Sequence, residues 1–243
     1  MLTYGCLDYT KAALADLLAQ DVPLNILVIV QPREGDETPG YIATQNPDRV
    51  VMLQPPFNLG VAGGWNHGLK TLFEIGAKEV LVTGNDARLR TDTYRRLTSV
   101  EGGCLFTAWT PTLAEMQRDI VGSPVPLPPQ WNGEPDIGPA HLMRKWLWDA
   151  VGPYDEMFRP IYYEDVDWFY RVRLAGFRAA YRTVPVPCWH SDGGSRWYKV
   201  SQEADDAHHE LFLACQARYV RKWGGLPPNE KFTVPFDGQK EEL

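Results

Sequence analysis

Residues 25–31, NILVIVQ, form an apolar run of strand length with no polar alternation. A strand that shows neither face to water must be covered on both. That is the condition inside a parallel sheet with helices above and below it. The neighbouring segments fit such a sheet. Residues 8–20, DYTKAALADLLAQ, set Leu14, Leu17 and Leu18 at helical spacing, and Pro23 closes the stretch. Residues 32–40, PREGDETPG, read as loop, and VVMLQ at 50–54 as a second short strand. Residues 62–75 read as a helix entered through a glycine-rich turn, and EVLVT at 79–83 as a strand running into the polar turn GNDA, 84–87. Thr91 or Asp92 is placed to cap a helix through residue 99, and GCLFTAW at 103–109 returns to strand. This alternation predicts an α/β fold with right-handed crossovers and a mostly parallel central sheet flanked by helices. Ligands of such sheets gather beyond the carboxyl ends of the strands, and GNDA sits at one of those ends.

The second half is less regular. Residues 111–136, which include SPVPLPPQWNGEPD, have the length and composition of a mobile flap, an acceptor loop or a solvated excursion. Helical spacing returns over 141–152, HLMRKWLWDAVG, and again from 163 to 175, with Gly176 as C-terminal cap. Residues 177–189, FRAAYRTVPVPCW, read as a strand whose two prolines push it to a sheet edge. Residues 201–223 form a long amphipathic helix stopped by Gly224, Gly225 and the Pro227-Pro228 pair. The expected organisation is one domain over residues 1–200, with a C-terminal helix and polar tail, 201–243, packed on it.

Composition excludes some functions. A net charge of −7 and a pI near 5.3 argue against broad, charge-driven binding to nucleic acid. No apolar run reaches the roughly 18 residues of a membrane span. No basic region followed by an apolar stretch marks a signal peptide. Cys6, Cys104, Cys188 and Cys215 lie far apart and read as free thiols of a reducing compartment, so a cytoplasmic protein is expected. Nine Trp and eleven Tyr supply rings that stack on sugars or bases, or simply fill the core.

Four clusters carry chemistry. NLGVAGGWNHGL, 58–69, lets backbone approach a ligand closely at a helix mouth, or makes a tight turn. It is neither a Walker A loop nor G-x-G-x-x-G. Gly84-Asn85-Asp86-Ala87 offers a carboxylate at a strand end. Mg²⁺ or Mn²⁺ suits such a site, since these ions accept few carboxylates and keep phosphate oxygens as further ligands. IYYEDVDWFYRVRLAGFR, 161–178, places Glu164, Asp165 and Asp167 at a helix start, where the dipole favours anions. Asp167 and Arg171 are spaced to pair on one face. Of Glu164 and Asp165, one can be held by the fold while the other faces a cleft as a general base. His190, in CWHSDGGS ahead of Ser195, is either a metal ligand or a structural histidine.

The order and spacing of these blocks resemble the inverting, family-2-type glycosyltransferases of the GT-A fold, which include rhamnosyltransferases. The resemblance covers roughly residues 3 to 195. NLGVAGGWNHGL is similar to that family's Asn-x-Gly-x-Ala-Gly-Gly-x-Asn-x-Gly block, and LVTGNDA stands at its Asp-containing metal motif. The stretch from IGPAHLMRKWLWDAVGPYDEMF to YYEDVDWFYRVRLAGFR resembles its Gly-x-[FY]-Asp-Glu-x-Phe turn and Glu-Asp-x-Asp-x-x-x-Arg helix. The resemblance implies a sugar moved from a nucleoside-diphosphate donor to an acceptor hydroxyl with inversion, assisted by Mn²⁺ or Mg²⁺. Asp86 and His190 would hold the metal. Asp165 would be the base, with Glu164 beside it. Asn58, Gly60, Gly63, Gly64, Asn85 and Asp86 would shape the donor pocket. Trp65, Trp131 and Asp167 are candidates for the acceptor side, and Trp189 and Trp197 are further stacking candidates. The first strand is short here, and Gln31 and Pro32 stand where the family places an Asp that holds the nucleotide; Asp36 is a candidate substitute.

The donor is left as a UDP-, dTDP- or GDP-sugar. The acceptor is a glycan, lipid-linked sugar, protein, small molecule or modified nucleic acid base. Two other readings compete: a non-catalytic nucleotide-sugar or glycan-binding module on the same fold, and a sugar nucleotidyltransferase. The second lacks support in residues 1–20, where Lys11 is the sole basic residue and no glycine-rich triphosphate loop occurs.

Overall fold

The computed structural model describes residues 1–110, 112–117, 139–190 and 202–239. The chain runs β1 (Leu2–Thr3), α1 (Leu7–Leu18), β2 (Ile26–Val30), α2 (Thr38–Ala43), β3 (Val50–Leu53), α3 (Gly60–Glu74), β4 (Glu79–Thr83), β5 (Ala87–Leu89), α4 (Thr93–Thr98) and β6 (Cys104–Thr110). It continues with α5 (Leu113–Gln117), β7 (Ala140–Arg144), α6 (Lys145–Val151), α7 (Glu164–Leu174), β8 (Tyr181–His190) and α8 (Gln202–Trp223).

β1, β2 and β3 form a wholly parallel sheet in that order. Every residue of Ile26–Val30 is buried, as the unbroken apolar run requires. Val28 and Val30 pack with Leu14 and Leu17 of α1 and Ile42 of α2, while Ile29 lies against Gly68 of α3. The sheet is thus covered on both sides. The remaining strands form a second sheet in the order β4-β7-β6-β8-β5. It is mixed: β6 and β8 run parallel, and the other pairs are antiparallel. A parallel bridge between Leu2 and Gly84 joins the two sheets.

Four sequence expectations need correction. Residues 140–144 are a strand, not the start of a helix, and α6 begins only at Lys145. Ala140, His141, Leu142 and Met143 are buried because β7 lies between β4 and β6, and so short a segment does not distinguish a central strand from a helix turn. β8 is interior rather than an edge, between β6 and β5. Its prolines are tolerated because β5 pairs only with residues 188–190, and pairing to β6 skips register between Phe106 and Ala108. Residues 38–43, partly read as loop, are α2. Ala87, read as the end of a polar turn, instead opens β5, Ala87–Leu89.

The main core lies between the second sheet and α3, α6 and α7, built on Phe73, Phe106, Met143, Trp148, Tyr154, Trp168, Phe169 and Tyr181. Phe169 and Tyr181 stack at 4.9 Å between ring centroids. A smaller cluster fixes α8: Cys215, Tyr219 and Trp223 pack on Phe158, Tyr163 and Tyr170. All four cysteines are free thiols. Among the described residues no helix is long and apolar enough to cross a membrane. The proposed flap falls mostly outside the described residues; within it, Leu113–Gln117 is the short helix α5.

Candidate active site

The antiparallel pairing of β5 with β8 sets Ala87 opposite His190. Asp86, one residue before the strand, is thereby brought to the same histidine. His190 Nε2 lies 3.2 Å from Asp86 Oδ2, with side chains 27% and 16% exposed. Two residues more than 100 positions apart in sequence thus meet beyond the end of β4. Among the described residues, no group of three or more His, Cys, Asp or Glu gathers around a metal-sized space. A two-ligand pair fits a cation that takes its remaining ligands from a diphosphate. The turn that carries Asp86 is anchored by Asn85. That side chain is buried, and its Nδ2 donates to the Gly5 carbonyl at 2.9 Å and to Thr10 Oγ1 at 3.0 Å. Asn85 therefore holds the turn against the start of α1 through its amide N–H groups.

α7 carries the acids. Tyr162 and Tyr163 enter it at φ 85° and 69°, a left-handed approach that is costly for L-residues. Glu164 is only 5% exposed, and its Oε2 is buried with no hydrogen-bond partner among the described residues. Burial, then the adjacent Asp165 carboxylate, holds the Glu164 carboxyl well above the usual range. Asp165 is half-buried, accepts from the Val166 N–H at 2.7 Å, and is also shifted upward by burial. Of the two acids, Glu164 is the one enclosed and Asp165 the one with access to solvent.

Asp167 is a different kind of residue. It is fully buried; Oδ1 accepts from Lys222 Nζ at 2.5 Å and Trp223 Nε1 at 2.8 Å, and Oδ2 from Arg171 Nε at 2.9 Å. Lys222 also donates to Asp155 Oδ2 at 2.5 Å. Burial works to raise the Asp155 pKa, but the Lys222 bond, the Met157 N–H and nearby cations bring it below the ordinary value. The assignment of Asp167 to an acceptor is therefore corrected: its carboxylate is enclosed and fully partnered, and it ties α7 to α8. Lys222 escaped the sequence reading. The available signal was a lysine seven residues beyond Cys215 on the apolar stripe of an amphipathic helix, where a cation needs a buried partner.

The glycine block forms the start of α3. Asn58 Oδ1 accepts from Gly60 N–H at 2.8 Å. Gly60 has φ +72°, and a Cβ there would stand 2.7 Å from the Pro160 carbonyl oxygen, which the Val61 N–H reaches at 2.8 Å. Arg159 donates to the Asn58 carbonyl at 2.5 Å, so the starts of α3 and of the approach to α7 are joined directly. A Cβ on Gly64 would lie 2.5 Å from Leu2 and 2.8 Å from Gln31 Nε2, and one on Gly63 would lie 2.9 Å from Leu59. A side chain at Gly63 or Gly64 would thus run into protein, so α3 packs this closely on Leu2 and Leu59 only with glycine at both positions. Gln31 is buried and bonds at both ends of its amide, donating to the Gly60 carbonyl at 2.8 Å and accepting from Leu59 N–H at 2.9 Å. Sequence reasoning saw only that an acid was missing at Gln31; the structure gives the residue a task inside the fold.

Trp65 projects from α3 between His141 and Tyr154, with centroids 5.6 and 5.3 Å away, and its Nε1 is buried without a partner among the described residues. His141 is enclosed, and burial pushes its pKa down to about 3, so it is a neutral ring bonded to the Tyr154 hydroxyl at 3.3 Å. Trp131, Ser195 and Trp197 lie outside the described residues.

A scan against protein-family models finds no match, and a search of curated proteins finds none. Solved structures do match. A mannosyltransferase, PcManGT from Pyrobaculum calidifontis in complex with GDP-Man and Mn²⁺, shares 18% identity at a TM-score of 0.60 over 89% of this chain and 62% of its own. S. aureus TarS 1-349 in complex with UDP-GlcNAc shares 14% at a TM-score of 0.59 over 90% and 65%. GalNAc-T7 with UDP, GalNAc and Mn²⁺ shares 10% at a TM-score of 0.56 over 91% and 50%. The chain spans less than two thirds of the length of each. At these identities the likeness establishes the fold: α/β, of the GT-A type that these proteins share.

Proposed function

We propose that the chain moves a sugar from a nucleoside-diphosphate donor to an acceptor hydroxyl, with inversion at the anomeric carbon and assistance from Mn²⁺ or Mg²⁺. The observation that carries this reading is the meeting of Asp86 and His190 at 3.2 Å beyond the carboxyl end of β4. The nucleotide sugars bound to the structural neighbours are consistent with it: GDP-Man in one, UDP-GlcNAc in another. So is the Mn²⁺ present in two of them.

Asp86 and His190 would hold the cation, which supplies positive charge to the departing diphosphate. Asp165 takes the proton of the acceptor hydroxyl. Its upward-shifted carboxyl, at the partly open start of α7, makes it a stronger base than an exposed aspartate. The acceptor oxygen then bonds to the anomeric carbon as the bond to the diphosphate oxygen breaks. Burial at that helix start keeps the Asp165 proton affinity high, and Glu164 stands enclosed beside it. Residues 1–200 would form the catalytic domain, and 201–243 a helix and tail completing it. A hexosyl donor and the rhamnosyltransferase-like, family-2 subtype are part of the proposal. Acceptor classes stay as the sequence left them.

The test is release of nucleoside diphosphate from a panel of nucleotide sugars, with and without Mn²⁺, for the wild type and Asp165→Asn. Metal-dependent turnover that falls about 10²–10⁴-fold in the variant is expected. Unchanged turnover in Asp165→Asn removes the base assignment. Tight binding without turnover in wild type leaves a binding module, and pyrophosphate release from a nucleoside triphosphate leaves a nucleotidyltransferase.

A further inference from the structure

Acidic residues outnumber lysines and arginines in this chain, 31 to 24. Arginines in many parts of the fold accordingly pair with acids, as Arg88 does with Asp16, Arg144 with Glu79 and Arg173 with Glu230. The stretch 157–163 that leads into α7 departs from this pattern. Arg159 is exposed, and no carboxylate pairs with it among the described residues. Its Nη2 donates to the Asn58 carbonyl at 2.5 Å, and its guanidinium carbon stands 5.6 Å from the centre of the Phe57 ring. That ring is itself 55% exposed. One bond and one ring thus hold the guanidinium in place, and its other N–H groups have no partner among the described residues. On the α8 side of the same stretch, half-buried Arg218 donates to the Met157 carbonyl, also without a carboxylate among the described residues. The acids closest in sequence are taken elsewhere: Asp155 accepts from Lys222 Nζ at 2.5 Å, and Glu156 from Asn66 Nδ2 at 3.0 Å. Asp165 follows Arg159 by six residues, about 20 Å of chain at full extension.

We propose that the acceptor carries a negatively charged group, phosphate or carboxylate, and that Arg159 binds it. Arg218 adds charge, and Phe57 takes the apolar face of the sugar or alcohol that bears the group. The inference rests on the transferase reading given above and narrows its acceptor class. An arginine with an uncommitted N–H edge is a fork shaped for a carboxylate or a phosphate. Two acids within four residues had the chance to neutralise Arg159, and both are bonded to other groups. The donor diphosphate is the other anion of the reaction, and the cation proposed at Asp86 and His190 already balances it. A neutral acceptor would meet Phe57 but give the arginine nothing.

The experiment follows nucleoside-diphosphate release from the nucleotide sugar that the full chain turns over with Mn²⁺. Compounds are added in matched pairs: glycerol with glycerol 3-phosphate, glucose with glucose 6-phosphate, and glucose with glucuronate. A compound in the acceptor site either speeds release by taking the sugar or slows it by displacing water. In wild type the charged member should act at a concentration at least about tenfold lower than its neutral partner, the scale of one hydrogen bond to a charged group. An effect of the phosphates alone identifies a phosphorylated acceptor, and of glucuronate alone an acidic sugar. Arg159→Gln should bring the members of each pair together. Arg159→Lys should keep only part of the margin, since it keeps the charge but loses the fork. Phe57→Ala should weaken charged and neutral members alike. Members of every pair acting at the same concentration in wild type, or neither acting, overturns the anionic acceptor while leaving the transferase standing. A margin that survives in Arg159→Gln overturns the part given to this arginine. An equal loss of affinity for the Mn²⁺-bound nucleoside diphosphate in that variant does the same, because it assigns the arginine to the donor. No release from any nucleotide sugar overturns the transferase reading and this one with it.

Discussion

The start of α3 touches the approach to α7, yet the two helix starts are built on opposite principles. At α3, Gln31, Asn58 and the Pro160 carbonyl satisfy the entering backbone, and its glycines press against Leu2, Leu59 and Pro160. Almost nothing there is left over. At α7, Glu164 keeps a buried oxygen without a partner, and both leading acids are raised in pKa. A helix start with its polar groups satisfied is a wall; one that retains unmet demand at added free energy is where chemistry is to be sought. Both segments looked equally suited to a ligand in the sequence. Only the partner list separates them.

The comparison breaks first at Asp165 and Asp167, two residues apart on the same helix. Asp165→Asn should abolish transfer with little change in melting temperature. Asp167→Asn should lower stability strongly, because Lys222 loses a buried counter-charge. Lys222→Met should do so from the other side, by about 3–5 kcal/mol in urea unfolding, since it strips a cation from a fully buried carboxylate. If Asp167→Asn unfolds at the wild-type urea midpoint, its reading as a structural tie fails.

Gly60→Ala tests the wall. An alanine there adopts φ +72° and meets a carbonyl oxygen at 2.7 Å, so a loss of about 2 kcal/mol or more in denaturant unfolding is expected. Gln31→Glu should cost about 1–3 kcal/mol, because the carboxylate has no N–H to give the Gly60 carbonyl. Neither variant should change the pH dependence of turnover.

The smallest effect has an informative sign. Glu164 binds its proton more tightly folded than unfolded. Its contribution therefore falls as pH rises above the ordinary carboxylate range, because the unfolded chain ionises first. Glu164→Gln should melt higher than wild type at pH 7, and the difference should shrink as pH falls towards 4. A variant that melts lower at pH 7 would mean that the enclosed carboxyl is stabilising and the comparison with α3 is misdrawn.

Much of this was legible from the chain alone. β4 was read at its observed bounds, and β2 within one residue at each end, because an apolar run bounded by polar turns has few alternatives. The Asp167–Arg171 pair followed from helical spacing. β7 did not follow, since its place in the centre of the second sheet comes from β4 and β6, which lie dozens of residues away. The tasks of Gln31, Asn85 and Asp167 were hidden for the same reason. Each bonds to a segment distant in sequence, and residue type alone does not say whether an amide or acid faces a ligand or another part of the chain.

The tie from Lys222 to Asp167 has a consequence during synthesis. When residue 190 leaves the ribosome, Asp86, Asp165 and His190 have all been made, but the lysine and indole that hold Asp167 have not. Until Trp223 has emerged, α7 carries an acid with Arg171 as its remaining cation and without the side chains of α8 packed on it. A nascent chain therefore holds every proposed reactive side chain before it holds the helix that ties down α7. On the proposed reading, transfer would begin only once α8 has docked on α7.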